Sequence, residues 1–186
     1  MKVALRRWLR APGSLSRRLS AHGRFEVQPL REGVARLLPG ERAALSGASG
    51  RHWIREVLLR VDGVPLVWAR SVTPFRGTCG PWRALRQLGP RPLAELLFDD
   101  PSVVRSALCS ERHRCGARWH RHVNAMWRMA CGAAWPSGVV SGRSSVFVRR
   151  GMPLRVFEAF SMELGGARYG TGVRTKLGVC RRRHAT

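Results

Sequence analysis

Trp53-Ile54-Arg55-Glu56-Val57-Leu58-Leu59-Arg60-Val61, then Asp62-Gly63, then Val64-Pro65-Leu66-Val67-Trp68-Ala69-Arg70-Ser71-Val72: this stretch decides the fold class. Both runs are rich in β-branched and apolar residues, and the Asp-Gly pair between them is a strong hairpin signal. Pro65 lies beside the turn, where a missing ladder donor costs least. Strand side chains alternate between two faces. Trp53, Arg55, Val57, Leu59 and Val61 therefore share a face that is apolar apart from Arg55, while Glu56 and Arg60 lie on the other. A two-residue loop pairs Val61 with Val64, and that register places Arg70 opposite Arg55. Two like charges facing each other are unfavourable unless an anion lies between them, and a planar carboxylate suits the guanidinium fork.

A second hairpin is expected near the end of the chain, with strands Val146 to Arg149 and Leu154 to Ser161 joined around Gly151. Leu154, Val156, Glu158 and Phe160 share one face, so Glu158 also points inward. A buried carboxylate is expensive unless it is paired or protonated. Two inward arginines and one inward glutamate make a net positive site, suited to a small anion with a polar group at its far end. The competing reading is a buried Arg55–Glu158 ion pair that only specifies the core.

Outward from the hairpins, Lys2 to Arg10 reads as a helix with Leu5, Trp8 and Leu9 on one face. Pro12-Gly13 interrupts it, and Ser14 is placed to cap a second turn ending near Gly23. Phe25 and Val27 alternate with polar residues as a strand does. Gly40 to Gly50 reads as a loop. Two helical pieces follow, Trp82 to Leu88 and Pro92 to Phe98. Ser106 to Val140 carries Cys109, His113, Cys115, His120, His122, Cys131 and three tryptophans without clean periodicity, and reads as irregular. Its cysteines form no C-x-x-C pair and match no common zinc spacing, so no metal is expected. After Met162 the chain is glycine-rich and basic, and residues 162–186 read as a poorly ordered tail behind a single domain of residues 1–161.

With 186 residues, 44% of them hydrophobic, the chain can bury a real core. Lys2 and Lys176 are the only lysines among 34 basic residues, against 11 acidic ones, for a formal charge of +23. That bias favours loose association with polyanions or a solvated basic surface, and says little about the fold. A nucleic-acid-binding module is the rival it raises. The arginines, however, are spread over the whole chain, and no aromatic-rich binding strand, basic helix repeat or zinc knuckle is present, so no specific nucleic acid is expected. The longest charge-free stretch, Met129 to Gly142, is broken by Gly132, Pro136 and Gly138 and cannot span a bilayer. The five scattered cysteines and the lack of an apolar leader imply reduced thiols and a cytoplasmic location.

Five motifs in order carry a resemblance: Gly13-Ser14-Leu15-Ser16-Arg17-Arg18-Leu19; Trp53 to Leu59 with Asp62-Gly63; Ala69-Arg70-Ser71-Val72-Thr73-Pro74; Leu88-Gly89-Pro90-Arg91-Pro92-Leu93-Ala94-Glu95-Leu96-Leu97-Phe98; and Pro153-Leu154-Arg155-Val156-Phe157-Glu158-Ala159-Phe160. Order and spacing agree from residue 8 to about 105 and again from about 142 to 160. In these residues the chain resembles the chorismate pyruvate-lyase family. The resemblance implies an α+β fold, a single antiparallel sheet of about six strands with helices covering an enclosed ligand site. It implies elimination of pyruvate from chorismate to give 4-hydroxybenzoate, the entry compound of ubiquinone synthesis, without metal or organic cofactor; separately from the resemblance, a monomer is expected. By position, Arg55 corresponds to the family's carboxylate-binding arginine and Arg70 to a second arginine of the site. Leu15 and Leu93 correspond to residues whose backbone amides touch the ligand, and Glu158 to the carboxylate near the ring hydroxyl. A relative that binds the aromatic acid without turning it over would use the same residues.

The chain departs from the family pattern in two places. The aromatic-Gly/Ala-Arg-Arg-Ser run before the last hairpin is here Ser141-Gly142-Arg143-Ser144-Ser145, without the aromatic and one arginine. The Phe-Leu-Pro-like ending is replaced by Phe160-Ser161-Met162 and the basic tail. With residues 106–140, these departures mark an insertion or a stretch of altered reading frame.

Overall fold

A computed structural model describes residues 3–170. In chain order the elements are α1 (Val3–Arg10), α2 (Leu15–Ser20), β1 (Phe25–Val34), α3 (Glu41–Ala44), β2 (His52–Val61) and β3 (Val64–Pro74). Then come two short 3-10 turns (Phe75–Cys79, Arg83–Gln87), α4 (Ala94–Phe98), β4 (Val103–Arg105), β5 (Cys109–Arg114), α5 (Arg118–Cys131), β6 (Val139–Arg149) and β7 (Met152–Phe160). A 3-10 turn (Met162–Gly165) and α6 (Ala167–Gly170) close the described chain. The strands form one antiparallel sheet in the order β1-β2-β3-β7-β6-β4, with β5 also paired to β6. This is the expected α+β class, with seven strands instead of about six.

The hairpin turn is built as its sequence demands. Asp62 and Gly63 both take positive φ, 50° and 76°, which matches the right-handed twist of the flanking strands. Val61 pairs with Val64 as expected, but the ladder then slips: Arg60 opposes Pro65 and Leu59 opposes Val67. Leu66 is the extra residue, fully buried, and it follows the proline that has no N–H to give the ladder. A slip of one residue exchanges the faces of everything beyond it. Arg55 therefore opposes Ser71, and Arg70 opposes Glu56. The expected Arg55–Arg70 juxtaposition is corrected: the two arginines lie on opposite faces of the sheet.

One face carries the apolar ends of α1 and α2. Leu5, Trp8, Leu9, Leu15 and Leu19 pack on Val57, Leu59, Val67 and Phe160. Ser14 caps α2, its hydroxyl accepting from the Arg17 N–H at 3.2 Å, an interaction worth about 1 kcal/mol. Leu164 and Tyr169 join this core, and the Trp8 indole donates to the Tyr169 carbonyl at 3.1 Å. The chain thus continues to fold after Met162, where the sequence reading expects a loose tail; residues 171–186 of that expectation lie outside the described residues.

The other face is covered by α5. Trp119, Val123 and Trp127, four residues apart, pack with Trp135 on Leu58, Trp68, Phe157 and Ala159. Gly132 ends the helix in the left-handed region at φ 71°. The reading of residues 106–140 as irregular is corrected here. The segment holds β5, a 14-residue helix and the first two residues of β6, and its indoles are the core of the second face.

Candidate active site

A cavity opens between the α1–α2 face of the sheet and the segment around α4. The cavity has a volume of about 70 Å³. The reason for the space is visible in the register. Arg55, Ser71, Val156 and Ser145 lie in one row across β2, β3, β7 and β6, and Val57, Ala69, Glu158 and Arg143 in the next. The middle strand contributes only Ala69 and Ser71 to the floor, so the long side chains on either side reach over an unfilled gap. Arg55 and Glu158 stand two strand spacings apart, about 10 Å laterally.

Leu15 is the first residue of α2, so its N–H is one of the amides with no acceptor inside the helix. Leu93 is the N-cap residue of α4. Both line the cavity with Arg55 and Glu158. Four of the five residues singled out from sequence thus surround one space. Arg70 does not. It is corrected to the opposite face, where its donors are taken by protein carboxylates.

Arg55 is almost wholly buried, and its guanidinium is held from three directions. Nε donates to Glu32 Oε1 at 2.7 Å, and Nη2 to the carbonyls of Gly89 and Arg91 at 2.7 and 3.2 Å. Burial lowers its pKa, and the Glu32 hydrogen bond and charge oppose that shift. Nη1 has no protein partner among the described residues. The guanidinium is therefore fixed in orientation with one amino group left for a ligand.

The far end of the cavity contains two arginines that sequence reasoning did not assign. Arg143 donates from Nε to Glu158 Oε2 at 2.5 Å, and from Nη1 to the carbonyls of Trp8 and Ala11 at 3.2 and 2.6 Å. Arg105, at the end of β4, donates from Nε to Ser145 Oγ at 3.0 Å and from Nη1 to the Gly13 carbonyl at 3.4 Å. The signal for Arg143 was present, because it shares a face with Ser145 and Phe147 on a strand that begins at Val139. For Arg105 there was little to read, since a three-residue strand has no usable periodicity. The competing reading of an Arg55–Glu158 ion pair is overturned: the structure forms two separate pairs, Arg55–Glu32 and Arg143–Glu158. Gly142 is required beside them: a Cβ there would lie 2.5 Å from the Glu158 carbonyl oxygen and 2.6 Å from the Phe157 ring.

Three guanidiniums around the cavity face two carboxylates, Glu32 and Glu158. Burial lowers the pKa of Arg105, repulsion from Arg143 lowers it further, and Glu158 opposes both. The surplus charge, the free Nη1 of Arg55 and the single acceptor at the far end suit an anion that carries a hydroxyl opposite its carboxylate.

On the other face the buried charges close on one another. Arg70 donates to both oxygens of Glu41 at 2.7 and 3.0 Å and to Glu56 at 2.5 Å. His122 Nε2 lies 2.6 Å from the same Glu56 oxygen. Arg155 donates to Glu111 at 2.6 Å, and His113 lies 3.2 Å from the other Glu111 oxygen. Burial alone would raise the Glu111 carboxyl, but the His113 hydrogen bond and the Arg155 charge bring it down to about 2. Burial likewise works against Glu56, and His122 with Arg70 lowers it overall. Among the described residues no group of three or more His, Cys, Asp or Glu is arranged to hold a metal.

A family model described as chorismate lyase matches residues 1–134. A probable chorismate pyruvate-lyase of Albidiferax ferrireducens is 46% identical over 158 residues, 84% of this chain and 80% of that protein. One from Bordetella pertussis is 38% identical over 157 residues, 82% of this chain and 79% of that protein. Among solved structures, the effector domain of PhnF from Mycobacterium smegmatis superposes with a TM-score of 0.56 at 14% identity, covering 81% of this chain and 90% of that one. The ligand-binding domain of a putative GntR-family transcriptional regulator from Bordetella bronchiseptica gives 0.51 at 15%, covering 74% and 84%. At such identities the likeness is one of fold. The match to the family model ends before β6 and β7, so Arg143 and Glu158 lie beyond it.

Proposed function

This chain belongs to the chorismate lyase family, and we propose that its cavity eliminates pyruvate from chorismate to leave 4-hydroxybenzoate. It is a carbon–oxygen lyase with chorismate as substrate. The observation that carries the product assignment is the cavity's polarity: a fixed guanidinium at one end, a carboxylate held by a second guanidinium at the other, and a floor of small residues between them. A ring with a carboxylate at one end and a hydroxyl at the other fits that pattern. Arg55, with the backbone amides of Leu15 and Leu93, receives the ring carboxylate. Glu158, oriented by Arg143, accepts a hydrogen bond from the ring hydroxyl.

The reaction removes the proton from the hydroxyl-bearing ring carbon and breaks the ether bond at the neighbouring carbon. The electron pair of the C–H bond completes the aromatic ring. The departing enolpyruvate carries the ether electrons and takes up one proton on its methylene carbon to become pyruvate. One proton is lost and one gained, and aromatisation drives the step. The protein's contribution is to hold the ring in one orientation and to stabilise charge on the leaving enolate. Closure of the cavity by α1, α2 and the α4 segment keeps water from competing for those donors.

The product would feed ubiquinone synthesis, and a cytoplasmic monomer is the working form we assign. Two features support that assignment. No helix among the described residues is long and apolar enough to cross a membrane. Among the described residues, the exposed large apolar side chains are few, namely Val34, Val104, Met129 and Val148.

The test is to incubate the purified protein with chorismate and follow 4-hydroxybenzoate by absorbance and chromatography. Product should form with the unaltered protein, and Arg55→Ala and Glu158→Ala should each lower turnover by about 10³-fold with the far-ultraviolet spectrum unchanged. No product from folded protein would overturn the lyase reading in favour of a binding-only relative. Full activity in either variant would remove that residue from the site.

A further inference from the structure

The two ends of the cavity account for the ring carboxylate and the ring hydroxyl. Chorismate carries a second carboxylate, on the enolpyruvyl group that leaves. That group is attached to the ring carbon next to the one bearing the hydroxyl. Whatever holds its carboxylate must therefore lie close to Glu158 and away from Arg55.

Two guanidiniums lie there. Arg143 is fully buried and its charge is already met by Glu158, with Nε on that carboxylate, Nη1 on two backbone carbonyls and Nη2 without a protein partner among the described residues. Arg105 is only half-buried and less committed. Its one bond to the rim, from Nη1 to the Gly13 carbonyl, is long at 3.4 Å, and Nη2 has no protein partner among the described residues. The side chain is nevertheless fixed in place. Its guanidinium carbon lies 5.6 Å from the Phe98 ring centre and 5.3 Å from that of Phe147, and Ser145 holds Nε. A guanidinium that is oriented, desolvated on its ring-facing side and set beside a like charge is short of an anion.

We propose that Arg105 binds the carboxylate of the enolpyruvyl group, and of the pyruvate it becomes, forming a subsite for the leaving group separate from the subsite for the aromatic product. This rests on the lyase reading above. It divides the site in two. Arg55 and Glu158 recognise the part of the substrate that stays, and Arg105 the part that departs. Because Arg105 also touches the Gly13 carbonyl between α1 and α2, the leaving-group subsite is at the rim, where pyruvate can exit before the ring.

The experiment compares Arg105→Gln and Arg105→Lys with the unaltered protein in three readouts: kcat/KM for chorismate, equilibrium binding of 4-hydroxybenzoate by indole fluorescence, and inhibition by pyruvate. Arg105→Gln should lower kcat/KM by roughly 10- to 100-fold and abolish inhibition by pyruvate, while the Kd for 4-hydroxybenzoate changes by no more than about twofold. Arg105→Lys, which keeps the charge without the fork, should recover part of the loss. A parallel loss of 4-hydroxybenzoate binding would overturn the separate subsite, as would unchanged kcat/KM in Arg105→Gln. If the unaltered protein gave no product, the lyase reading would fall. The subsite would still stand or fall on whether Arg105→Gln weakens binding of intact chorismate more than that of 4-hydroxybenzoate.

Discussion

Both faces of the sheet bury arginines, and the two faces use them in opposite ways. Under α5, Arg70 and Arg155 meet Glu41, Glu56 and Glu111, with His113 and His122 at the ends of the chain of contacts. Carboxylates outnumber guanidiniums there, and Trp119, Trp127 and Phe157 fill the surrounding space. Toward the α1–α2 side, Arg55, Arg105 and Arg143 meet Glu32 and Glu158 around a gap floored by Ala69 and Ser71. Burial of a cation is common to both. What separates a binding site from a structural cluster is the balance of charge together with unfilled volume.

That contrast can be broken by experiment. The largest effect is expected from Arg70→Ala, which removes the guanidinium shared by Glu41 and Glu56. Losing one partner of such a buried pair costs about 3–5 kcal/mol, so denaturant melts should shift strongly while KM of the remaining folded protein stays put. A raised KM with unchanged stability would mean that Arg70 serves the cavity after all. A smaller effect, about 10²-fold on kcat/KM, is expected for Ala69→Leu, which fills the gap that separates the two faces in kind. Its melting temperature should stay close to that of the unaltered protein, and a variant that still turned over normally would show that the floor is not where the ring lies.

The smallest effect is a pH dependence confined to the α5 face. The Glu111 carboxyl is held at about 2 in the folded chain, below its unfolded value of about 4.3. Such a group contributes stability that is fully present above the unfolded value and is lost as the pH falls toward the folded one. Allowing for its partial exposure, about 1–2 kcal/mol should disappear between roughly pH 4.5 and 2. Trp119 lies against both His113 and Arg155, so its fluorescence should report the change, and Glu111→Gln should flatten it. An acid transition identical in that variant would assign the lability elsewhere.

The sequence was most legible where local rules act alone. Asp62-Gly63 announced its turn, Ser14 its cap, and the alternation in β2 and β7 pointed Arg55 and Glu158 the right way. It was least legible where one residue changes the outcome of many. The slip at Leu66 cannot be seen in the alternation of either strand, yet it decides which face Arg70 occupies. In α5 the periodicity was present in Trp119, Val123 and Trp127 but diluted by histidines and arginines that the helix tolerates because they reach the buried carboxylates or solvent. Glu41 lay in a stretch read as loop, and a four-residue helix gave no pattern to set against that reading. Arg143 was missed because the strand was read as beginning at Val146 and not at Val139, and Arg105 because a site assembled from six strands is a property of register, which a three-residue strand does not contain.

The order of strands has a consequence for how the chain comes into being. β7 is the last strand among the described residues but lies in the middle of the sheet, between β3 and β6. Until β7 is made, β3 has no second partner, and a nascent chain ending before it presents a bare, strongly apolar edge built from Val67, Trp68 and Val72. Such long-range closure is slow and leaves the chain open to pairing with its neighbours. The same late strand brings Glu158, so the moment that the sheet stops being an aggregation hazard is also the moment that the cavity acquires its far wall. Premature termination in the last hairpin should therefore yield insoluble chains in place of soluble, inactive ones.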